Sequence, residues 1–145
     1  MKQGIRNLLK RVRQRYGEEV SRPVDSPSVA GAILVVDFGH DVAPFPEGYL
    51  RKCGFETRLA RGESEALETL AQAEVAAVIV SGRAAVPFFR ALRGATSAPI
   101  LALDSTADER HVLEAYAAGV DQFQAQSISP NEVVARLGAL LRRRR

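Results

Sequence analysis

The sequence predicts an α/β domain built on a five-stranded parallel sheet. Three observations support this fold class. Short, continuous apolar runs recur along the chain, as in strands that are covered on both faces. The stretches between these runs have the spacing of helices, and several end in helix-capping residues. Strands that alternate with helices in this way are typical of a parallel sheet with helices on both faces.

Residues 1–20 precede this pattern and predict a basic amphipathic helix. In residues 1–22, seven Lys or Arg stand against two Glu, a local charge of +5. Helical spacing places a set of apolar residues in one stripe. The stripe consists of Ile5, Leu8, Leu9 and Val12. Residues 21–31 contain prolines and serines and predict a linker, so we expect the folded domain to span residues 32–145.

The strands are predicted from the apolar runs. Three runs are continuous and fall at residues 33–36, 76–80 and 100–103. Two less apolar segments, at residues 55–60 and 120–123, complete a set of five strands.

Five helices are predicted between and after these strands. They cover residues 47–53, 63–73, 85–93, 108–118 and 130–143. Ser129 and Glu132 flank Pro130 as a helix-starting signal, and Gly119 is placed to end the preceding helix. Right-handed crossovers leave few topologies, and the flavodoxin-like strand order 2-1-3-4-5 is the expected one.

Composition excludes several classes of protein. The single Cys53 excludes an internal disulfide, and the sequence has no Cys/His cluster that predicts a zinc site. No apolar run approaches the ~20 residues of a membrane span, and the N-terminus lacks the apolar block of a secretory signal. We therefore expect a cytoplasmic protein without a cofactor or a metal.

Six segments carry a resemblance to a known family. They are residues 33–37, 54–57, 62–67, 98–103, 117–123 and 129–133. In this order and spacing they resemble the receiver domains of two-component response regulators, over residues 32–143. The resemblance implies the same α/β fold.

At the reactive positions, the resemblance implies a degenerate phosphorylation pocket. Asp37 matches the first of two adjacent acids that help receivers hold Mg²⁺, but Phe38 stands where the second is expected. Ser81 stands at the position of the phosphoaccepting aspartate. Asp104 replaces the family's Thr or Ser, and Gln126 replaces its lysine. Two of three carboxylates are thus missing, and Mg²⁺ needs anionic oxygens.

Two interpretations of the remaining acids stay open. In the first, Asp37 and Asp104 form a remnant metal site. In the second, one or both pair with Arg83, which lies two positions beyond Ser81. We favour the Arg83 pairing, because unpaired carboxylates that share a partly buried site are costly. Phe123 falls where receivers place a switch aromatic, although core packing is the simpler role.

The function expected from these features is protein–protein interaction without phosphorylation, in signalling, regulation or localisation. The chain has no glycine-rich phosphate loop and no nucleophile–base motif, so we expect neither enzyme activity nor a small-molecule substrate. The partner is another protein or a second copy of the chain. By analogy with receivers, the partner face is assigned to Arg110, His111, Glu114, Phe123 and Gln124. The alternative is nucleic-acid or anionic membrane-surface binding through the basic N-terminal helix and the C-terminal arginines.

Overall fold

The computed structural model describes residues 31–39 and 47–143. Five parallel strands form one sheet in the order β2-β1-β3-β4-β5, as the sequence predicts. The strands are β1 (Ala32–Asp37), β2 (Thr57–Ala60), β3 (Val75–Ser81), β4 (Ile100–Leu103) and β5 (Gln122–Gln124). The predicted N-terminal helix with its apolar stripe, the linker up to residue 30, and Arg144 and Arg145 lie outside the described residues.

Five helices alternate with the strands. They are α1 (Glu47–Lys52), α2 (Glu63–Gln72), α3 (Val86–Ala95), α4 (Glu109–Ala118) and α5 (Pro130–Arg143). The predicted helices are confirmed, with ends that differ by one or two residues from the sequence pattern. At the start of α4 the difference arises because Asp108 is the N-cap and lies just outside the helix.

The core has two layers because β1 is buried on both faces. Ile33 points to one face and packs with Leu50 of α1 and Leu137 of α5. Leu34 points to the other face and packs with Phe88 of α3. Each of these side chains is at most 2% exposed. Burial of side chains of this size stabilises a fold by about 1.5–3 kcal/mol each. The two buried layers therefore fix the positions of the strand ends from which the loops begin.

The helix-capping predictions at Ser129 and Gly119 are confirmed, and Asp108, which the sequence pattern placed inside the helix, serves as an N-cap. Ser129 Oγ accepts a hydrogen bond from Glu132 N at 3.3 Å, at the start of α5. Asp108 Oδ1 accepts one from His111 N at 2.8 Å and caps α4. Gly119 ends α4 with a φ of +117°, a left-handed conformation that favours glycine.

Arg93, at the end of α3, joins three parts of the chain. Its Nη1 donates to the Gly119 carbonyl and to Asp121 Oδ2, both at 3.0 Å. Its Nη2 donates to the carbonyls of Thr96 and Ala98, at 2.8 and 2.6 Å. The sequence pattern did not predict this role, because two of these partners lie 26 and 28 residues away along the chain.

Candidate functional site

The pocket residues predicted from the sequence lie at the carboxyl edge of the sheet. Strand register places Asp37, the last residue of β1, beside Ser81, the last residue of β3. Ser81 in turn pairs with Leu103, so Asp104 follows directly on the neighbouring strand. The carboxyl edge of an open parallel sheet is where such folds bind ligands. The structure therefore brings Asp37, Ser81 and Asp104 to adjacent strand ends.

Asp37 and Phe38 serve local structure at this edge. Asp37 Oδ1 accepts a hydrogen bond from Gly39 N at 2.8 Å. Phe38 N donates to the Ser81 carbonyl at 3.0 Å, which extends the pairing of β1 with β3. The Phe38 ring packs edge-on against Phe88, with centroids 5.5 Å apart. Phe38 thus belongs to the apolar layer below the pocket and presents no oxygen to it.

Asp104 is the most buried acid of the site, with a side chain that is only 2% exposed. Its Oδ1 accepts two hydrogen bonds from Thr106, from the amide at 2.9 Å and from the hydroxyl at 2.6 Å. Its Oδ2 lies 3.8 Å from Nη1 of Arg83, and within the described residues it has no hydrogen-bond partner. The second carboxylate oxygen is therefore stabilised by the charge of Arg83 rather than by a hydrogen bond.

The Arg83 pairing with Asp104 is one of the two pairings that the sequence allows. Gly82 positions Arg83, because it has a φ of +99° and a Cβ there would lie 3.3 Å from the Cβ of Phe38. Gly82 N also donates to the Leu103 carbonyl at 2.8 Å, one residue before Asp104. The turn therefore directs the chain after β3 across the end of β4.

Gln126 lies farther along the same edge, on the loop between β5 and α5, and is exposed. The backbone connects this loop to Asp104, because Asp104 N donates to the Gln124 carbonyl at 3.0 Å. Gln126 follows Gln124 by two residues and carries a neutral amide at its tip. The positive charge near Asp104 thus comes from Arg83, on the opposite side of the pocket.

Solved structures share this architecture. A two-component response regulator from Clostridium difficile superposes with a TM-score of 0.68 at 20% identity, covering 78% of this chain and 97% of the other. A putative response regulator from Chloroflexus aurantiacus superposes with a TM-score of 0.66 at 27% identity, covering 78% and 98%. The chain has the receiver fold of response regulators.

Curated relatives agree with the receiver fold. The transcriptional regulatory protein GltR of Pseudomonas aeruginosa is 27% identical over 119 residues, covering 77% of this chain and 49% of GltR. Protein PetR of Rhodobacter capsulatus is 28% identical over 115 residues, covering 77% of this chain and 48% of PetR. The chain spans about half the length of the curated relatives it matches. No family model matches it.

The residues predicted for the partner face differ in exposure. Arg110 and Glu114 are exposed on α4 and pair with each other at 2.9 Å. His111 and Phe123, however, are buried, with 8% and 7% of their surface exposed, and Gln124 is partly buried. His111 points inward because its ring packs against Phe123, at a centroid distance of 6.0 Å. In this structure Phe123 has a core-packing role, and neither ring is presented to a partner.

Two other residues of α4, which the sequence pattern did not indicate, are exposed. Leu113 is 61% exposed and Tyr116 is 43% exposed. They lie three residues apart, on the side of the helix opposite the buried Ala115 and Ala118. Tyr116 Oη also accepts a hydrogen bond from Phe123 N at 2.8 Å, so its hydroxyl covers a backbone donor of the edge strand β5. The buried Ala115 and Ala118 lie three residues apart on one side of α4, and this spacing identifies the opposite side as the outer face.

None of the helices within residues 31–39 and 47–143 combines the length and the apolar character that a bilayer crossing needs.

Proposed function

We propose that this receiver is a protein-interaction module that works without phosphorylation and without catalysis of its own. One observation carries the proposal. The side chain at the end of β3, beside Asp37 on the neighbouring strand, is the hydroxyl of Ser81 rather than a carboxylate. A carboxylate nucleophile forms an acyl phosphate, whereas a serine hydroxyl needs a general base to react.

The residues at the carboxyl edge do not fit a divalent cation. Mg²⁺ is held by carboxylates and substrate oxygens in near-octahedral geometry. Phe38 offers only a ring packed on Phe88, and Ser81 offers no charge. Asp104 is already bound through Oδ1 to Thr106 and faces Arg83 through Oδ2. In the described part of the chain, no group of three His, Cys, Asp or Glu residues is placed to hold a metal ion.

The charges of the pocket also oppose a phosphoryl group. A phosphoryl group brings negative charge, and pockets that accept one supply positive charge or hydrogen-bond donors. Asp104, at the end of β4, places a buried carboxylate one strand away from Ser81. The nearby cation, Arg83, lies beside that carboxylate, so its charge is already partly matched. We therefore propose that the Arg83–Asp104 pair holds one conformation of the pocket.

The role that remains is recognition of another protein in a cytoplasmic signalling or regulatory pathway. GltR is a transcriptional regulatory protein that is longer than this chain, which supports a role of this fold with regulatory partners. The exposed side of α4 supplies a surface of suitable chemistry, since it combines apolar area with charge. This surface, the α4 face, consists of Glu109, Arg110, Leu113, Glu114 and Tyr116.

Beryllofluoride with Mg²⁺ tests the absence of a phosphoryl response. Beryllofluoride imitates a phosphoryl group on an aspartate, so a competent receiver shows large changes in its amide spectrum. We expect the amide signals of Gly39, Ser81 and Asp104 to stay unchanged in the full chain. Shifts at these positions that saturate with Mg²⁺ and beryllofluoride together would overturn the proposal.

Partner binding tests the interaction role. The full chain serves as bait in an extract of its source organism, and the captured proteins are compared with those of Leu113→Ser and Arg90→Ser. Arg90 is exposed on α3 and serves as the matched control. We expect one partner to be lost with Leu113→Ser, retained with Arg90→Ser and unaffected by acetyl phosphate. A partner that binds only after phosphodonor treatment would contradict the proposal.

A further inference from the structure

The α4 face carries most of the large apolar surface that the described residues leave exposed. Leu59, Leu113 and Tyr116 are the exposed large hydrophobic residues of the described ranges, and two of the three lie within one turn of α4. Apolar side chains placed together on a surface mark an interaction site more often than single ones do. A partner for this face therefore has to supply an apolar stripe of its own.

The α4 face is also acidic. On the α4 face itself, Glu109 and Glu114 stand against Arg110, a charge of −1, and the flanking Asp108 and Asp121 bring residues 108–121 to −3, with Asp121 paired to Arg93. Residues 61–74 around α2 reach the same charge, with four Glu against Arg61. The leucines of α2, Leu67 and Leu70, are partly buried, so that helix offers no comparable apolar surface. Within the described ranges, α4 is the helix that combines acidity with large exposed apolar side chains.

Residues 3–16 of the same chain have the complementary chemistry. Their apolar stripe, Ile5, Leu8, Leu9 and Val12, is surrounded by Lys and Arg, and residues 1–22 carry a local charge of +5. An amphipathic helix of this kind binds an apolar surface through residues spaced three and four apart. Opposite charges around the apolar contact favour the association and fix its orientation.

The chain is also long enough to bring the two together. Gly31 lies at the amino edge of the sheet, where the next residue, Ala32, donates through its amide to the Glu74 carbonyl at the start of β3. The C-terminal end of α4 lies at the same edge, because Asp121 N, just beyond it, donates to the Ile100 carbonyl at the start of β4. Two strand spacings and the full length of α4 add up to about 25 Å, and Leu113 lies only halfway along that helix. The 14 residues from 17 to 30 span up to ~46 Å when extended.

We propose that residues 3–16 bind in cis to the α4 face, with the leucine stripe against Leu113 and Tyr116. The tether raises the effective concentration of the segment at this face, so weak contacts suffice. The inference rests on the proposed function in taking the α4 face as a binding surface. It adds that the face is covered by the chain's own N-terminal segment until a partner competes for it.

Paramagnetic relaxation in the full chain tests the proposal. A nitroxide label is attached to Asn7→Cys in a Cys53→Ala background, since residue 7 lies opposite the leucine stripe on a helical projection. We expect the amide signals of Leu113 and Tyr116 to lose intensity, while those of Glu65 and Glu68 on α2 keep theirs. Leu8→Asp with Leu9→Asp, and separately Leu113→Ser, should restore the lost intensity. The amide spectrum of each variant shows whether the domain is folded.

Three outcomes would overturn the proposal. Intensity lost nowhere in the domain would show that the segment does not bind it, and intensity lost on α2 would assign another site. In a separate experiment, a nitroxide-labelled chain at natural isotope abundance is mixed with an isotope-enriched chain that carries no nitroxide. Signal loss in this mixture would show that the segment binds a second copy of the chain. Phosphodonors are absent from this experiment, so its failure would leave the proposal on phosphorylation intact. Likewise, a phosphorylated pocket would not decide whether residues 3–16 bind the α4 face.

Discussion

Arg83 Nη1 lies 3.8 Å from Asp104 Oδ2 and brings a positive charge from the loop after β3 to a carboxylate at the end of β4. The two partners differ strongly in exposure, since the arginine side chain is 51% exposed and the aspartate only 2%. The distance exceeds that of a hydrogen bond, so the contact is Coulombic. It brings together the ends of β3 and β4, which lie side by side in the sheet.

The energy of this pair can be measured with a double-mutant cycle. We expect Arg83→Ala to lower the free energy of unfolding by about 1 kcal/mol, because it leaves the buried carboxylate of Asp104 without its cation. The effect is no larger because the arginine is half exposed and solvent screens its charge. In an Asp104→Asn background, the same change should cost about 0.5 kcal/mol less. Urea unfolding supplies all four values. Equal effects in both backgrounds would show that the pair is not coupled, and Arg90→Ala is the control for loss of an exposed arginine.

Restoring acids at the carboxyl edge should create a cation site. Phe38→Asp with Ser81→Asp adds two carboxylates beside Asp37, which is the charge that Mg²⁺ needs. We expect Mg²⁺ to raise the Tm of this double variant, with a stabilisation of about 1.4 kcal/mol at ten times the Kd.

The matched control for that experiment is Phe38→Asp with Ser81→Asn. Asparagine has nearly the shape of aspartate but lacks its negative charge, so position 81 supplies no carboxylate. Each variant is compared with itself in the absence of Mg²⁺, so that the lost packing on Phe88 cancels. The same Mg²⁺ response in the control, or in the unmodified chain, would show that the missing carboxylates are not what limits binding.

Gly119 should be one of the least replaceable glycines of the domain. Its φ is +117°, and an added Cβ would lie 2.6 Å from the side chain of Arg93. We expect Gly119→Ala to lower the free energy of unfolding by about 1–3 kcal/mol, from strain and from displacement of Arg93. Gly94→Ala, in helix α3, has open space around the new methyl and should stabilise by about 0.5–1 kcal/mol. Similar values for the two variants in a thermal or urea unfolding experiment would contradict this account.

Cys53 should react slowly while the domain is folded. Burial raises the pKa of the Cys53 thiol, and a hydrogen bond with Tyr49 offsets only part of that effect. The thiolate is the reactive form, so alkylation at pH 8 should be much slower in the folded chain than in urea, and it should accelerate as the pH rises. Mass spectrometry of iodoacetamide-treated samples gives both rates. Equal rates in folded and unfolded chains would show that Cys53 is accessible.

Much of the fold follows from local sequence pattern. The apolar runs that form β1, β3 and β4 are buried on both faces, so few other arrangements satisfy them, and the caps at Asp108, Gly119 and Ser129 end or begin helices by local hydrogen bonds. The site was harder to predict. Asp104 and Arg83 were recognised, but only the turn at Gly82 decides that Arg83 faces Asp104 rather than Asp37.

Two residues that analogy assigned to the partner face are not exposed in the structure. His111 and Phe123 were placed on the partner face by analogy, yet both are buried, because their rings pack against each other and against Phe89. A histidine is compatible with either side of a helix, so its sequence position does not decide its environment. The buried Ala115 and Ala118 show which side faces inward, and that choice depends on contacts with α3.

Mass spectrometry of the intact chain tests most directly the proposal that this pocket is not phosphorylated. The full chain is incubated with acetyl phosphate and Mg²⁺, and its intact mass is followed over time beside a receiver that has the complete acidic set. We predict that the mass of this chain stays unchanged while the control gains one phosphoryl group. A phosphoryl adduct mapped to Asp37, Ser81 or Asp104 would contradict the account.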